Sequence, residues 1–151
     1  MRSSRILILL LVLLAAGCSK PSGDYLFVSE RTAAAHGGRY EFAFDLDSAC
    51  TYTTTLAARV VASRAQEGEI NLDIQITSPD GSTQIERLLL SLAEEACLKR
   101  IEGSGSLLDC QWHWKDIRTD GSLGGTWQVA VTPTDPASAE ALRGIGLSYE
   151  K

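Results

Sequence analysis

The chain has 151 residues, 44% of them hydrophobic and 22% charged, with a formal net charge of −5. This length suits one domain of ordinary size, and the composition is that of a globular chain, not a disordered one. The acidic balance argues against a nucleic-acid partner and against a polybasic grip on anionic lipid, since both need clustered Lys and Arg.

The first predicted element stands outside any fold. Met1 to Arg5 carries Arg2 and Arg5, Ile6 to Leu14 is wholly aliphatic, and Ala15, Ala16 and Gly17 are small. Basic, then apolar, then small is the order of a removable secretion signal. The apolar run is too short to span a bilayer, which takes about 20 residues. Leu14 to Cys18, "LAAGC", resembles the lipobox of bacterial lipoproteins, with Ala15 where leucine is preferred. In that family the signal is cut before the cysteine, here between Gly17 and Cys18, and the sulfur takes a diacylglycerol. The alternative is a plain signal peptide with an incidental cysteine. Each buried methylene contributes about 0.8 kcal/mol, so one acyl chain binds only marginally, whereas two or three on Cys18 make a durable anchor. Residues 1–17 are therefore read as a signal peptide, 18–24 as an acylated tether and 25–151 as the folded domain. Without residues 1–17 the chain keeps 12 basic and 19 acidic residues, a charge of −7. The lipid would have to hold it without help from surface charge.

"SKPSGD", Ser19 to Asp24, reaches at most roughly 20 Å when extended, which keeps the domain close to the bilayer. Period-two segments follow. "YEFAFDLD" places Tyr40, Phe42, Phe44 and Leu46 on one face, and "EINLDIQIT" does the same with Ile70, Leu72, Ile74 and Ile76. Such alternation predicts half-buried strands. Tyr25 to Ser29 and Tyr52 to Ala62 are less regular strand candidates. "SPDG", Ser78 to Gly81, predicts a turn, because proline pre-sets one dihedral and glycine relieves another. "STQIERLLLSLAEEACLKR" is ambiguous. It reads as a helix, or as a strand over Thr83 to Leu92 followed by a helical turn near residues 93–100. "CQWHWKD" puts Cys110, Trp112 and Trp114 on one face, "GGTWQVAVTP" ends at the strand-stopping Pro133, and "IGLSYEK" closes the chain. Seven or eight short strands separated by turns predict an all-β fold, a single antiparallel β-sandwich of jelly-roll type with at most one short helix.

Besides Cys18 the chain has Cys50, Cys97 and Cys110. In an oxidising compartment these allow one disulfide and an odd thiol, with three possible pairings. The Gly-rich turn between them favours Cys97 with Cys110, and fully reduced buried cysteines are the alternative.

Chemistry-bearing motifs are sparse. The sequence holds no GxSxG, no P-loop, no CxxC and no zinc-ligand spacing. His36 lies in an expected loop, and His113 alternates away from the tryptophans toward solvent. Asp109, Asp116 and Asp120 flank the tryptophan strand and read as solvated residues rather than a glycosidase pair. Trp112, Trp114 and Trp127 read as core aromatics, and the competing reading makes them an exposed platform for a glycan or peptide. No catalytic set, metal site or cofactor is expected.

Taken together, the lipobox, "YEFAFDLD", "INLDIQITSPDG", "LSLAEE", "EGSGSLLD", "GGTWQVAVTP" and "LRGIGLSYEK" resemble the gliding-motility lipoprotein GldH family of the Bacteroidota. The family's Tyr-Pro-Tyr-like element before the "INLDI" strand is replaced here by "ASRAQEGE", and Leu98 to Ile101 stand where a tryptophan usually precedes the Gly-rich turn. The resemblance implies a divergent, non-enzymatic cell-envelope lipoprotein. It would be anchored through acyl chains on Cys18 and work with the gliding or secretion machinery through protein contacts. Surface-exported lipoproteins of that phylum carry acids directly after the cysteine. "SKPSGD" holds only Asp24, so the expected place is the outer membrane, facing the periplasm.

Overall fold

The computed structural model describes residues 23–93, 95–102 and 105–151, with backbone only for 98–102, 105 and 106. Gly17 and Cys18 therefore lie outside the described residues. Nine strands are present among the described residues: β1 (Gly23–Ser29), β2 (Tyr40–Leu46), β3 (Thr51–Val61), β4 (Glu69–Thr77), β5 (Thr83–Ser91), β6 (Cys97–Glu102), β7 (Gly105–Arg118), β8 (Gly125–Pro133) and β9 (Leu142–Glu150). They form two antiparallel sheets, one ordered β1-β9-β3-β7-β6 and the other β2-β8-β4-β5. The chain crosses repeatedly between the sheets, so the first strand neighbours the last, and this is the jelly-roll arrangement.

The predicted alternation builds the core. Every odd-numbered residue of β2 faces solvent while Tyr40, Phe42, Phe44 and Leu46 are buried. In β4 the four predicted aliphatics, Ile70 to Ile76, are likewise buried. Opposite them, the register aligns Leu26, Leu147, Leu56 and Trp112 across four strands of the first sheet. Burying each such side chain contributes roughly 1.5–3 kcal/mol. The "SPDG" turn forms as expected. Gly81 N–H donates to the Ser78 carbonyl at 2.9 Å, and Gly81 takes a φ of 86° that glycine accepts without strain.

Three expectations need correction. The ambiguous leucine segment is strand β5, paired with β4 over nine residues, and the described residues of 93–100 contain no helix, because β6 begins at Cys97. Cross-strand pairing overrides the helix preference of Leu and Glu. Gly23 and Asp24, read as part of the tether, belong to β1 and pair with Glu150 and Tyr149. Two helices form where none was expected: α1 (Glu30–Ala35) and α2 (Pro136–Ala141).

Both helices are short and depend on their caps. The Ser29 hydroxyl accepts from Thr32 N–H at 3.3 Å. For α2 the Asp135 carboxylate accepts from Ser138 N–H at 2.8 Å, and Pro136 opens the helix with no amide hydrogen to lose. The Ser138 hydroxyl donates back to Asp135 and accepts from Asn71 N–H of β4, each at 2.9 Å, which fastens the helix to the sheet.

These bonds hold the Asp135 carboxyl below its ordinary pKa, with the Ser138 backbone N–H the largest cause. A depressed carboxylate contributes stability that is complete above the unfolded-state pKa, about 3.9, and is lost as pH falls through the folded value. We expect Asp135→Ala to leave the pH-stability curve flatter below about pH 4, with a loss near neutrality of about 1 kcal/mol from the missing cap. Urea unfolding from about pH 2 to about pH 7, which spans the titration of carboxylates, checks this. An unchanged acid limb would refute it.

Candidate interaction site

The tryptophan strand meets the second sheet through a bulge. Thr54 pairs with Lys115 but Thr55 pairs with His113, so Trp114 is the extra residue. In a regular strand neighbours point to opposite faces. Here consecutive residues reach the same carboxylate. Trp114 Nε1 donates to Glu86 Oε2 at 3.2 Å, and the Lys115 ammonium pairs with Glu86 Oε1. The Lys115 ammonium also lies 5.6 Å from the Trp114 ring centroid. The fully buried Thr54 hydroxyl serves the bulge's backbone, donating to the Lys115 carbonyl at 2.6 Å and accepting from its N–H at 3.2 Å. Trp112 Nε1 donates to the Ser91 carbonyl at 3.1 Å. Two indoles thus close the gap between β7 and β5.

All three indoles pack against the core. Trp127 is buried, with its indole N–H on the Leu123 carbonyl at 2.9 Å, and Trp112 and Trp114 are half-buried against the core. Trp112 and Trp114 lie on the inward face of β7 with the buried Cys110, toward the other sheet. Among the described residues no group of three potential ligands could hold a metal ion. His36 caps α1, 3.5 Å from Glu41 and far along the chain from His113, whose side chain is mostly exposed. Asp109 pairs with Arg59 at 2.9 Å.

Cys97 and Cys110 stand directly opposite each other in β6 and β7 and are joined by a disulfide. Cys50 is a half-buried thiol in the β2–β3 loop. The buried Thr119 hydroxyl holds this loop by accepting from Cys50 N–H at 3.0 Å and donating to the Asp47 carbonyl.

The surface feature that stands out is the edge formed by β5, which sequence reasoning did not single out. Leu92 N–H donates to the Gly68 carbonyl and Ser78 N–H to the Ser82 carbonyl, both at 2.9 Å. With the unbroken β4–β5 register, this assigns the hydrogen-bonded pairs to the even residues of β5. The N–H and C=O groups of Thr83, Ile85, Arg87 and Leu89 consequently point away from β4, toward the sheet's open side. Ile85 is 70% exposed and Leu89 58%, the two most exposed large hydrophobics described. The charges on β5 are engaged within the fold: Arg87 bonds Asp73 at 2.8 Å, and Glu86 faces inward. No proline or bulge blunts the strand. A signal for this site was present, since Ile85 and Leu89 interrupt the otherwise polar outer face. It becomes readable only once the segment is known to be a strand.

A second exposed apolar pair lies on β1. The Phe27 ring covers Gly144 and the Tyr25 ring covers Gly146, both on β9. A Cβ at Gly144 would come within 2.1 Å of the Phe27 ring, so these glycines provide the flat floor on which the rings rest.

No family model matches the chain, and no curated protein matches it. Among solved structures the matches are distant. A protein of Sulfurospirillum deleyianum is 10% identical with a TM-score of 0.38, the match covering 87% of this chain and 98% of that one. The baseplate tripod of bacteriophage Tuc2009 is 11% identical with a TM-score of 0.39, covering 84% and 88%. A serine protease of Aeromonas sobria is 13% identical with a TM-score of 0.33, covering 93% of this chain and 29% of the protease. At these values the likeness carries no inference about activity.

Proposed function

We propose that the chain is a lipid-anchored, non-enzymatic envelope lipoprotein that works through protein contacts, as an accessory of gliding-motility or secretion machinery. The observation that carries the contact role is the β5 edge, where outward backbone groups and exposed Ile85 and Leu89 occur together. An added strand gains main-chain hydrogen bonds from such an edge and specificity from alternate side chains. The lipobox sequence supports the anchor, and the spread of resemblance along the chain supports the motility context. The anchor and the edge divide the work, one holding the domain at the membrane and the other meeting the partner.

Two variants test the two halves. Cys18→Ala should lose the acyl mass and move the protein from the membrane to the soluble fraction. The double variant Ile85→Lys, Leu89→Lys should stay on the membrane and change stability by no more than about 0.5 kcal/mol, as exposed sites allow. It should also lose cross-links in cells to envelope motility or secretion components. Wild-type protein that recovers no such component would refute the contact role, and membrane-bound Cys18→Ala would refute the anchor.

A further inference from the structure

The domain is held close to the membrane by one corner, and its flanks differ in chemistry. On the lipoprotein reading, which this inference rests on, only Cys18 to Ser22 separate the acyl chains from the first strand residue, Gly23. Five residues span at most about 18 Å, less than the roughly 30 Å length of a nine-residue strand such as β9. The sandwich must therefore either stand on its Gly23 end or lie on a flank beside β1.

The Gly23 end is poorly suited to a lipid surface. It carries Asp24, Glu150 opposite Gly23, and Asp47, which the terminal residue Lys151 holds at 2.6 Å. The outer flank of the first sheet is different. Tyr25 and Phe27 are 54% and 44% exposed there. Their rings lie over Gly144 and Gly146, and the row continues through Ser148, Thr55 and Ala57, all small and uncharged, with Glu150 at one end and Arg59 at the other. Arg59 lies over the Phe27 ring, 5.8 Å from its centroid, and is paired with Asp109 at 2.9 Å. Aromatic side chains with one wet and one apolar aspect settle at the membrane–water boundary. The β5 edge lies on the other sheet and at the opposite side of the strand order.

We propose that the outer face of β1 and β9 rests on the membrane that holds the anchor, with Tyr25 and Phe27 as the contact residues. The domain then lies on its flank, and the β5 edge is turned away from the lipid toward the aqueous compartment. The aromatic pair does the orienting that a basic patch does in other peripheral proteins, which suits a chain of net negative charge.

The test uses the full, acylated chain in phosphatidylcholine vesicles with and without brominated acyl chains. Phe27→Trp adds an indole at the proposed contact, Tyr25→Trp provides a second probe there, and Ile85→Trp marks the opposite edge. The added emission of Phe27→Trp and Tyr25→Trp should be lost in brominated vesicles, and that of Ile85→Trp should be retained. If the β1 probes are quenched no more than the Ile85 probe in protein whose intact mass includes the acyl chains, the orientation is wrong while the anchor stands. If the intact mass lacks acyl chains, the anchor reading falls and this inference with it.

Discussion

Leu147→Ala should cost about 3 kcal/mol, within the 2–5 kcal/mol span of buried leucine truncations. Leu147 is fully buried in β9, between Leu26 on β1 and Leu56 on β3. These neighbours sit in regular ladders whose backbones cannot close in, so the removed methyls leave a cavity instead of a collapsed core. The same strand joins the chain's two ends. Loosening β9 therefore weakens the seating of β1. Against a typical total stability of 5–15 kcal/mol this is a large fraction. Urea unfolding should show a lower midpoint with an unchanged slope, because the surface exposed on unfolding stays nearly the same. A loss below about 1 kcal/mol, the effect of a single methyl group, would mean that the inner face is not packed as described.

Breaking the Cys97–Cys110 disulfide should cost nearly as much. The bond closes a loop of sequence separation 13, and restricting a loop of that size in the unfolded chain stabilises the fold by about 3 kcal/mol on the chain-entropy account. It also clamps β6, the edge strand, to β7, whose bulge carries the Trp114 and Lys115 contacts to β5. The expected result is a midpoint shift in urea on adding reductant, absent in a Cys97→Ser, Cys110→Ser variant that is already destabilised. Alkylation of the unreduced, unfolded chain should label Cys50 and spare Cys97 and Cys110. Labelling of all three would remove the disulfide from the account.

How much of this was readable in advance follows from the range of the forces involved. Alternation within β2 and β4 is a local property, because successive side chains on a strand point to opposite faces whatever the partner. The buried faces could therefore be named from residues alone. The "SPDG" turn was equally local. The leucine segment of β5 was not, since its consecutive leucines fit a helical stripe and an extended strand alike, and only the nine-residue ladder with β4 separates them. The short helices were missed because a capping serine and an Asp-Pro pair are modest signals beside a missing apolar period.

The candidate site shows the same division. Tryptophans drew attention as residue types, yet Trp112 and Trp114 share the inward face of β7 with Cys110, and acceptors on β5 satisfy their indole nitrogens. The exposed pairs, Ile85 with Leu89 and Tyr25 with Phe27, looked like ordinary strand residues. What makes them surface features is their place on β5 and β1, each of which has a neighbouring strand on one side only.

By itself, then, the sequence determined the all-β class and the inward faces of the long strands, because each depends on residues within a few positions of one another. Only the tertiary structure decided which strands are edges and which aromatics meet water. Those properties arise from pairings between distant segments, such as β1 with β9, that no local pattern encodes.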